Sequence, residues 1–173
     1  MRLDLTTRHQ SFVLVGTFLL VLATSAVADG DRAAWKYRFE PADGITAAGQ
    51  PNENGLRELA DSGYAAVIDL RTEGEDRGLD EKAVVESLGM DYVSLPIEGR
   101  GAISFENAAK LDQILGKYDQ PVLVHCGSSN RVGALFALRE KMNGADDEDA
   151  LAFGKSAGMT SLEDTVKSRL AED

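Results

Sequence analysis

Pro121-Val-Leu-Val-His-Cys-Gly-Ser-Ser-Asn-Arg-Val-Gly133 decides the reading of this chain. Val122, Leu123 and Val124 form a short apolar run suited to a strand buried on both faces, a polar loop follows, and the pattern from 131 to 142 is helical. Cys126, the only cysteine, stands at the strand's C-terminal end. Oriented backbone N–H groups and a helix N-terminus stabilise negative charge there, which suits a thiolate nucleophile. Arg131 lies five positions on, and its planar fork matches a tetrahedral oxyanion better than a lysine ammonium does. Gly127, Ser128, Ser129 and Asn130 between them supply loop amides. With His125 before the loop and Arg71 from another strand end, they are the candidate substrate-binding residues.

Working outward, the spacing predicts a peripheral strand over 35–39, a strand over 45–48 closing on Gly49-Gln-Pro51, and strands over 65–70 and 90–95. Helices are expected over 53–62, over 80–88 capped by Asp80, over 104–115 capped by Ser104, and over 147–153. A last helix over 161–170 begins at the capping box Thr160-Ser-Leu-Glu163. Strands alternating with helices imply parallel pairing through crossovers. The expected architecture is therefore a single α/β domain with a central, mostly parallel sheet flanked by helices on both faces. Ligands of such sheets bind beyond the C-terminal strand ends, where Cys126 falls. Gly154-Lys-Ser156 looks like the end of a nucleotide-binding loop, but no strand precedes it and Asp149 stands where the first glycine belongs.

His125-Cys126, the short loop and Arg131 resemble the signature of cysteine-dependent phosphatases. Ile45-Thr-Ala-Ala-Gly-Gln-Pro51, Val67-Ile-Asp-Leu-Arg71 and Asp91-Tyr-Val-Ser-Leu-Pro96 resemble the bacterial beta-lactamase-hydrolase-like family in its phosphatase-like domain. The resemblance implies a protein-tyrosine-phosphatase-like fold and hydrolysis of phosphoesters through a thiophosphoryl intermediate on Cys126 held by Arg131. The substrate would be a phosphorylated protein or a small oxyanion, and no metal or cofactor is implied. Such phosphatases carry a general acid on a mobile loop. Glu98, in Pro96-Ile-Glu-Gly-Arg-Gly101, is the candidate. Two features depart from the tyrosine and dual-specificity pattern: four residues rather than five separate Cys126 from Arg131, and Val132 follows the arginine where Ser or Thr is usual. The shorter loop is similar in size to that of rhodanese sulfurtransferases. A persulfide carrier on Cys126 is therefore the alternative, and a non-catalytic oxyanion-binding module is the third reading.

Residues 1–28 read as a secretory signal, with Arg2 and Arg8 before the apolar run 12–23 and Ala26-Val-Ala28 before Asp29. The expected domain is then 29–173, in the periplasm or secreted, with no stable membrane binding after cleavage. The formal net charge of −11 excludes the basic footprint of a nucleic-acid-binding protein. An anionic substrate must be drawn in locally, against the field of the whole molecule. Outside residues 1–28 only one histidine and one cysteine remain, too few for a Cys/His zinc site or an internal disulfide.

Overall fold

The computed structural model describes residues 36–172. The proposed signal segment lies outside the described residues. Five strands and six α-helices follow in the order β1 (Arg38–Ala42), β2 (Ile45–Ala48), α1 (Glu53–Asp61), β3 (Ala66–Asp69), α2 (Glu81–Ser87), β4 (Asp91–Ser94), α3 (Phe105–Leu115), β5 (Val122–His125), α4 (Asn130–Met142), α5 (Asp147–Ser156) and α6 (Glu163–Leu170). The strands form one sheet in the order β1-β2-β5-β3-β4, antiparallel between β1 and β2 and parallel elsewhere. The mixed α/β architecture matches the expectation. The helices are capped as the sequence suggests at Asp80, which accepts from the Ala83 N–H, and at Ser104, which accepts from Asn107. The α6 start differs: Thr160-Ser-Leu-Glu163 makes no capping box, and the helix begins at Glu163 with no side-chain cap.

The central strands alternate sides with the period of two that a pleated strand imposes. Ala66, Ile68 and Leu70 of the β3 run, and Val122, Val124 and Cys126 of the β5 run, face a core shared with α3, α4, α5 and α6. Val67 and Leu123 face a smaller core with α1 and α2. His125 is therefore on the α2 side and Cys126 on the α4 side, although they are neighbours in sequence.

Helix α4 is buried without interruption from Val132 to Leu138, because the sheet covers one side and other helices the rest. Its contact with α5 depends on glycine: a methyl group on Gly133 would overlap the Gly154 carbonyl oxygen and the Met159 N–H. Since α4 carries the signature loop at its N-terminus, this packing fixes where Cys126 and Arg131 stand. The predicted strand over 35–39 is displaced to Arg38–Ala42, because Tyr37 takes a left-handed φ of 61° and the Gly49 N–H donates to the Lys36 and Tyr37 carbonyls at 2.9 Å each. No described helix is long and apolar enough to cross a membrane.

Candidate active site

Residues 126–131 leave the C-terminal end of β5, bridge Gly49 through Ser128, and enter α4. The Cys126 N–H donates to the Ala48 carbonyl at 3.3 Å, and the side chain is 1% exposed. The chain turns into α4 at Ser129, whose left-handed φ of 65° is uncommon for a residue with a Cβ. Two contacts hold it there: its hydroxyl donates to the Ala157 carbonyl at 2.8 Å, and Gly158, at φ 93°, packs so closely that an added methyl would lie 2.7 Å from the Ser129 Cβ. Ser129 thus braces the loop from behind, and its hydroxyl is not directed to a substrate. Asn130 serves similarly, accepting from the Thr160 N–H at 2.8 Å and donating to the Ser161 hydroxyl at 2.9 Å. No side chain caps α4. Its first N–H groups are left for an anion placed above Cys126, the arrangement in which a helix N-terminus holds an oxyanion.

Arg131 is oriented by a residue the sequence analysis missed. Its Nη1 and Nη2 donate to Glu75 Oε1 and Oε2, both at 2.6 Å, and Nη1 also reaches the Leu70 and Ile97 carbonyls at 3.4 and 3.3 Å. None of these contacts uses Nε. Glu75 is itself held by the Thr72 N–H at 2.8 Å. The hydrogen bond from Arg131 holds the Glu75 carboxyl down at about 2, and Glu75, with Cys126 adding to it, raises the Arg131 guanidinium above its ordinary value. The missed signal was a glutamate in the polar turn after β3, at the strand end where the sheet places its ligands.

Two candidate substrate-binding residues are corrected by their burial. Arg71 and His125 are both 0% exposed and have no surface to offer a substrate. Arg71 donates from its backbone N–H and Nε to Asp69 Oδ1, each at 2.9 Å, from Nη2 to Asp69 Oδ2 at 3.0 Å, and also from Nη2 to Glu81. Asp69 Oδ2 further accepts from Arg77 at 2.5 Å and from the Tyr92 hydroxyl at 2.8 Å. Burial pushes the Asp69 carboxyl up, but the Arg71 bonds and the His125 and Arg71 charges outweigh it and hold it at about 2. Burial, reinforced by the bond to Asp69, raises Tyr92 to about 12. Asp69, Glu81 and His125 bring ligand-type atoms within 4.8 Å of one another. With Arg71 bonded to both carboxylates and Arg77 to one, the two anions are already matched by two guanidinium groups, so a divalent cation would sit in a buried excess of positive charge.

Gly127 and Ser128 are exposed at the mouth. Glu98 is exposed on the loop after β4, one residue from the Ile97 carbonyl that Arg131 contacts. A left-handed Gly99, with φ 64°, follows it. A cavity of about 510 Å³ lies at the opposite end of the sheet, among residues including Asp43, Ile45, Asp112, Pro121 and Arg139, and has no part in this chemistry.

Residues 39–171 match the family model described as a DSP-PTPase phosphatase fused to NAD+ kinase. The chain belongs to this phosphatase family. Its fold is the tyrosine-phosphatase-like one that the signature loop implies. A beta-lactamase hydrolase-like protein of Agrobacterium fabrum is 31% identical over 122 residues, which is 66% of this chain but 27% of that protein. The phosphatase thus spans about a quarter of the length of that relative. Among solved structures, a candidate phosphatase from Neisseria meningitidis Z2491 superposes with a TM-score of 0.65 at 17% identity, covering 76% of this chain and 96% of the other. The structure of PTPMT1 gives a TM-score of 0.63 at 21% identity, over 79% and 95%. At these identities the structural likeness speaks for the fold.

Proposed function

We propose that the phosphatase cleaves phosphomonoesters of a protein or a small molecule with Cys126 as nucleophile, Arg131 and the α4 N-terminus as oxyanion holders, and Glu98 as general acid. The observation that carries this reading is the uncapped α4 N-terminus above Cys126, with Arg131 aimed by Glu75. Cys126 Sγ attacks phosphorus as a thiolate, forming an S–P bond while the P–O bond to the leaving group breaks. Glu98 gives its proton to the departing oxygen. Water then attacks the thiophosphoryl group, Glu98 takes a proton from it, and inorganic phosphate leaves with Cys126 a thiolate again. Loop amides and the Arg131 fork stabilise the equatorial oxygens, where charge develops. No step calls on a metal. Export to the periplasm, inferred from residues 1–28, belongs to the same proposal.

Exposure supports Glu98 as the acid: it has room to close on a substrate, whereas Glu75 is committed to Arg131. The test is turnover of an aryl phosphate, with thiosulfate plus cyanide run in parallel. Cys126→Ser abolishes phosphate release, and Glu98→Gln slows alkyl phosphates more than aryl phosphates, whose leaving groups need less protonation. Sulfur transfer with no phosphate release would replace this mechanism with the persulfide alternative. Equal loss on both phosphate classes in Glu98→Gln would remove the acid assignment.

A further inference from the structure

The turn that ends β2 lies against the signature loop, and the proposed reaction leaves it without a part. Ala48 accepts the Cys126 N–H at 3.3 Å, and Gly49 bridges Ser128. A methyl group on Gly49 would lie 2.3 Å from the Lys36 carbonyl oxygen and 3.2 Å from that of Gly127, so the turn sits too close to the loop for any side chain at this position. Gln50, the next residue, reaches the turn that follows β3: its Nε2 donates to the Arg77 carbonyl at 2.6 Å. A carbonyl oxygen only accepts, which fixes the amide nitrogen as the atom that faces it.

We infer that Gln50 is a positioning residue for the oxyanion site, tying the turn that carries Glu75 to the strand end that the signature loop bridges. The turn over 72–77 is drawn shut by Arg77, whose Nη2 donates to the Thr72 and Arg71 carbonyls at 3.2 and 3.4 Å and whose Nη1 donates to Asp69 Oδ2 at 2.5 Å. Thr72 in turn holds Glu75 Oε1 through its N–H at 2.8 Å and its hydroxyl at 3.3 Å. Glu75 Oε2 stands 3.8 Å from where a methyl group on Gly127 would be, beside the loop it serves. The contacts therefore close a ring that leaves the loop at Ser128, runs through Gly49, Gln50 and the Arg77 turn, and returns through Glu75 to Arg131. Arg77 pins the start of that turn to β3, and Gln50 pins its end to β2. The second tether matters because the two Glu75–Arg131 bonds, at 2.6 Å each, tolerate little displacement, and a misplacement of about 1 Å in such a group costs about 100-fold in rate. The inference deepens the proposed use of Arg131 as an oxyanion holder and rests on that reading.

Gln50→Met keeps the length of the side chain and removes the donor. Calorimetry with vanadate near neutral pH, which needs no turnover, should show affinity falling roughly 2- to 10-fold, the range of one neutral hydrogen bond. The same substitution made in Glu75→Gln should cost nothing further, because Gln50 acts through Glu75, whereas a merely structural loss adds in full. The chain has four glutamines, so isotope labelling resolves and assigns the Gln50 side-chain amide in the native protein without any variant. That resonance should move when vanadate is added to the native protein and stay still in Glu75→Gln. A native Gln50 amide unmoved by vanadate overturns the inference even if Gln50→Met does not fold, and so do additive losses in the double variant. A native protein that binds no vanadate overturns the oxyanion reading itself, whereas native binding left unchanged by Gln50→Met overturns this inference alone.

Discussion

Replacing Glu75 with Gln removes the charge that holds Arg131 while keeping the shape of the side chain. Moving the Glu75 carboxyl from 4.5 to about 2 corresponds to roughly 3 kcal/mol, at about 1.4 kcal/mol per pH unit. The pair is partly open to solvent, with Arg131 19% and Glu75 32% exposed, and screening reduces this to about 1–2 kcal/mol. The folded carboxyl titrates below its unfolded value. Its contribution is therefore present in full above about pH 5 and is lost as the pH falls toward 2. Urea unfolding of the native protein and of Glu75→Gln at about pH 7 and about pH 3 should show a stability difference of about 1–2 kcal/mol that shrinks in acid. The same variant frees the Arg131 fork, so vanadate affinity and kcat/KM for an aryl phosphate fall about tenfold, the effect of losing one charge-assisted bond. A stability difference that does not change with pH, or vanadate affinity equal to native, would show that Glu75 does not aim Arg131.

Arg131→Lys keeps the charge but offers no planar fork, so kcat/KM should drop by about 100- to 1,000-fold, the loss seen on removing one oxyanion donor; calorimetry with vanadate checks it, and native-like affinity would place the anion elsewhere. Gly158→Ala forces a methyl against Ser129 and strains a φ of 93°, so it should destabilise by about 1–3 kcal/mol. Its activity should fall at temperatures where circular dichroism still reports a folded chain, and an active, equally stable variant would refute the bracing role of this contact.

The signature loop was legible because each local cue agreed: an apolar strand, a polar turn and a helix in the order that puts Cys126 at the sheet's C-terminal edge. The parallel core was legible for the same reason. Glu75 was not, since its partner lies 56 residues away and nothing in Thr72-Glu-Gly-Glu75 distinguishes it from a solvated turn. Arg71 was placed near the crevice on strand position alone, and pairing with Asp69 and Glu81 drew it beneath the site instead. The capping box failed because tertiary partners took its atoms: Asn130 claims the Thr160 N–H, and Lys155 and Lys167 hold Glu163 Oε1 at 2.9 Å each. The first strand slipped because Gly49 needed the carbonyls of residues 36 and 37 more than the alternating pattern needed a ladder.

The stitches from Ser129 to Ala157 and from Asn130 to Thr160 and Ser161 also set a time order on synthesis. Chains emerge from the ribosome N-terminus first. Every residue used in the proposed reaction, through Arg131, is thus made before its rear support. Until residues 157–161 are in place, the left-handed turn at Ser129 lacks these three hydrogen bonds and has only the Gly49 bridge and the start of α4 to hold it. A chain cut short before α5 and the turn after it would therefore hold every residue of the proposed reaction and lack the contacts that brace their loop.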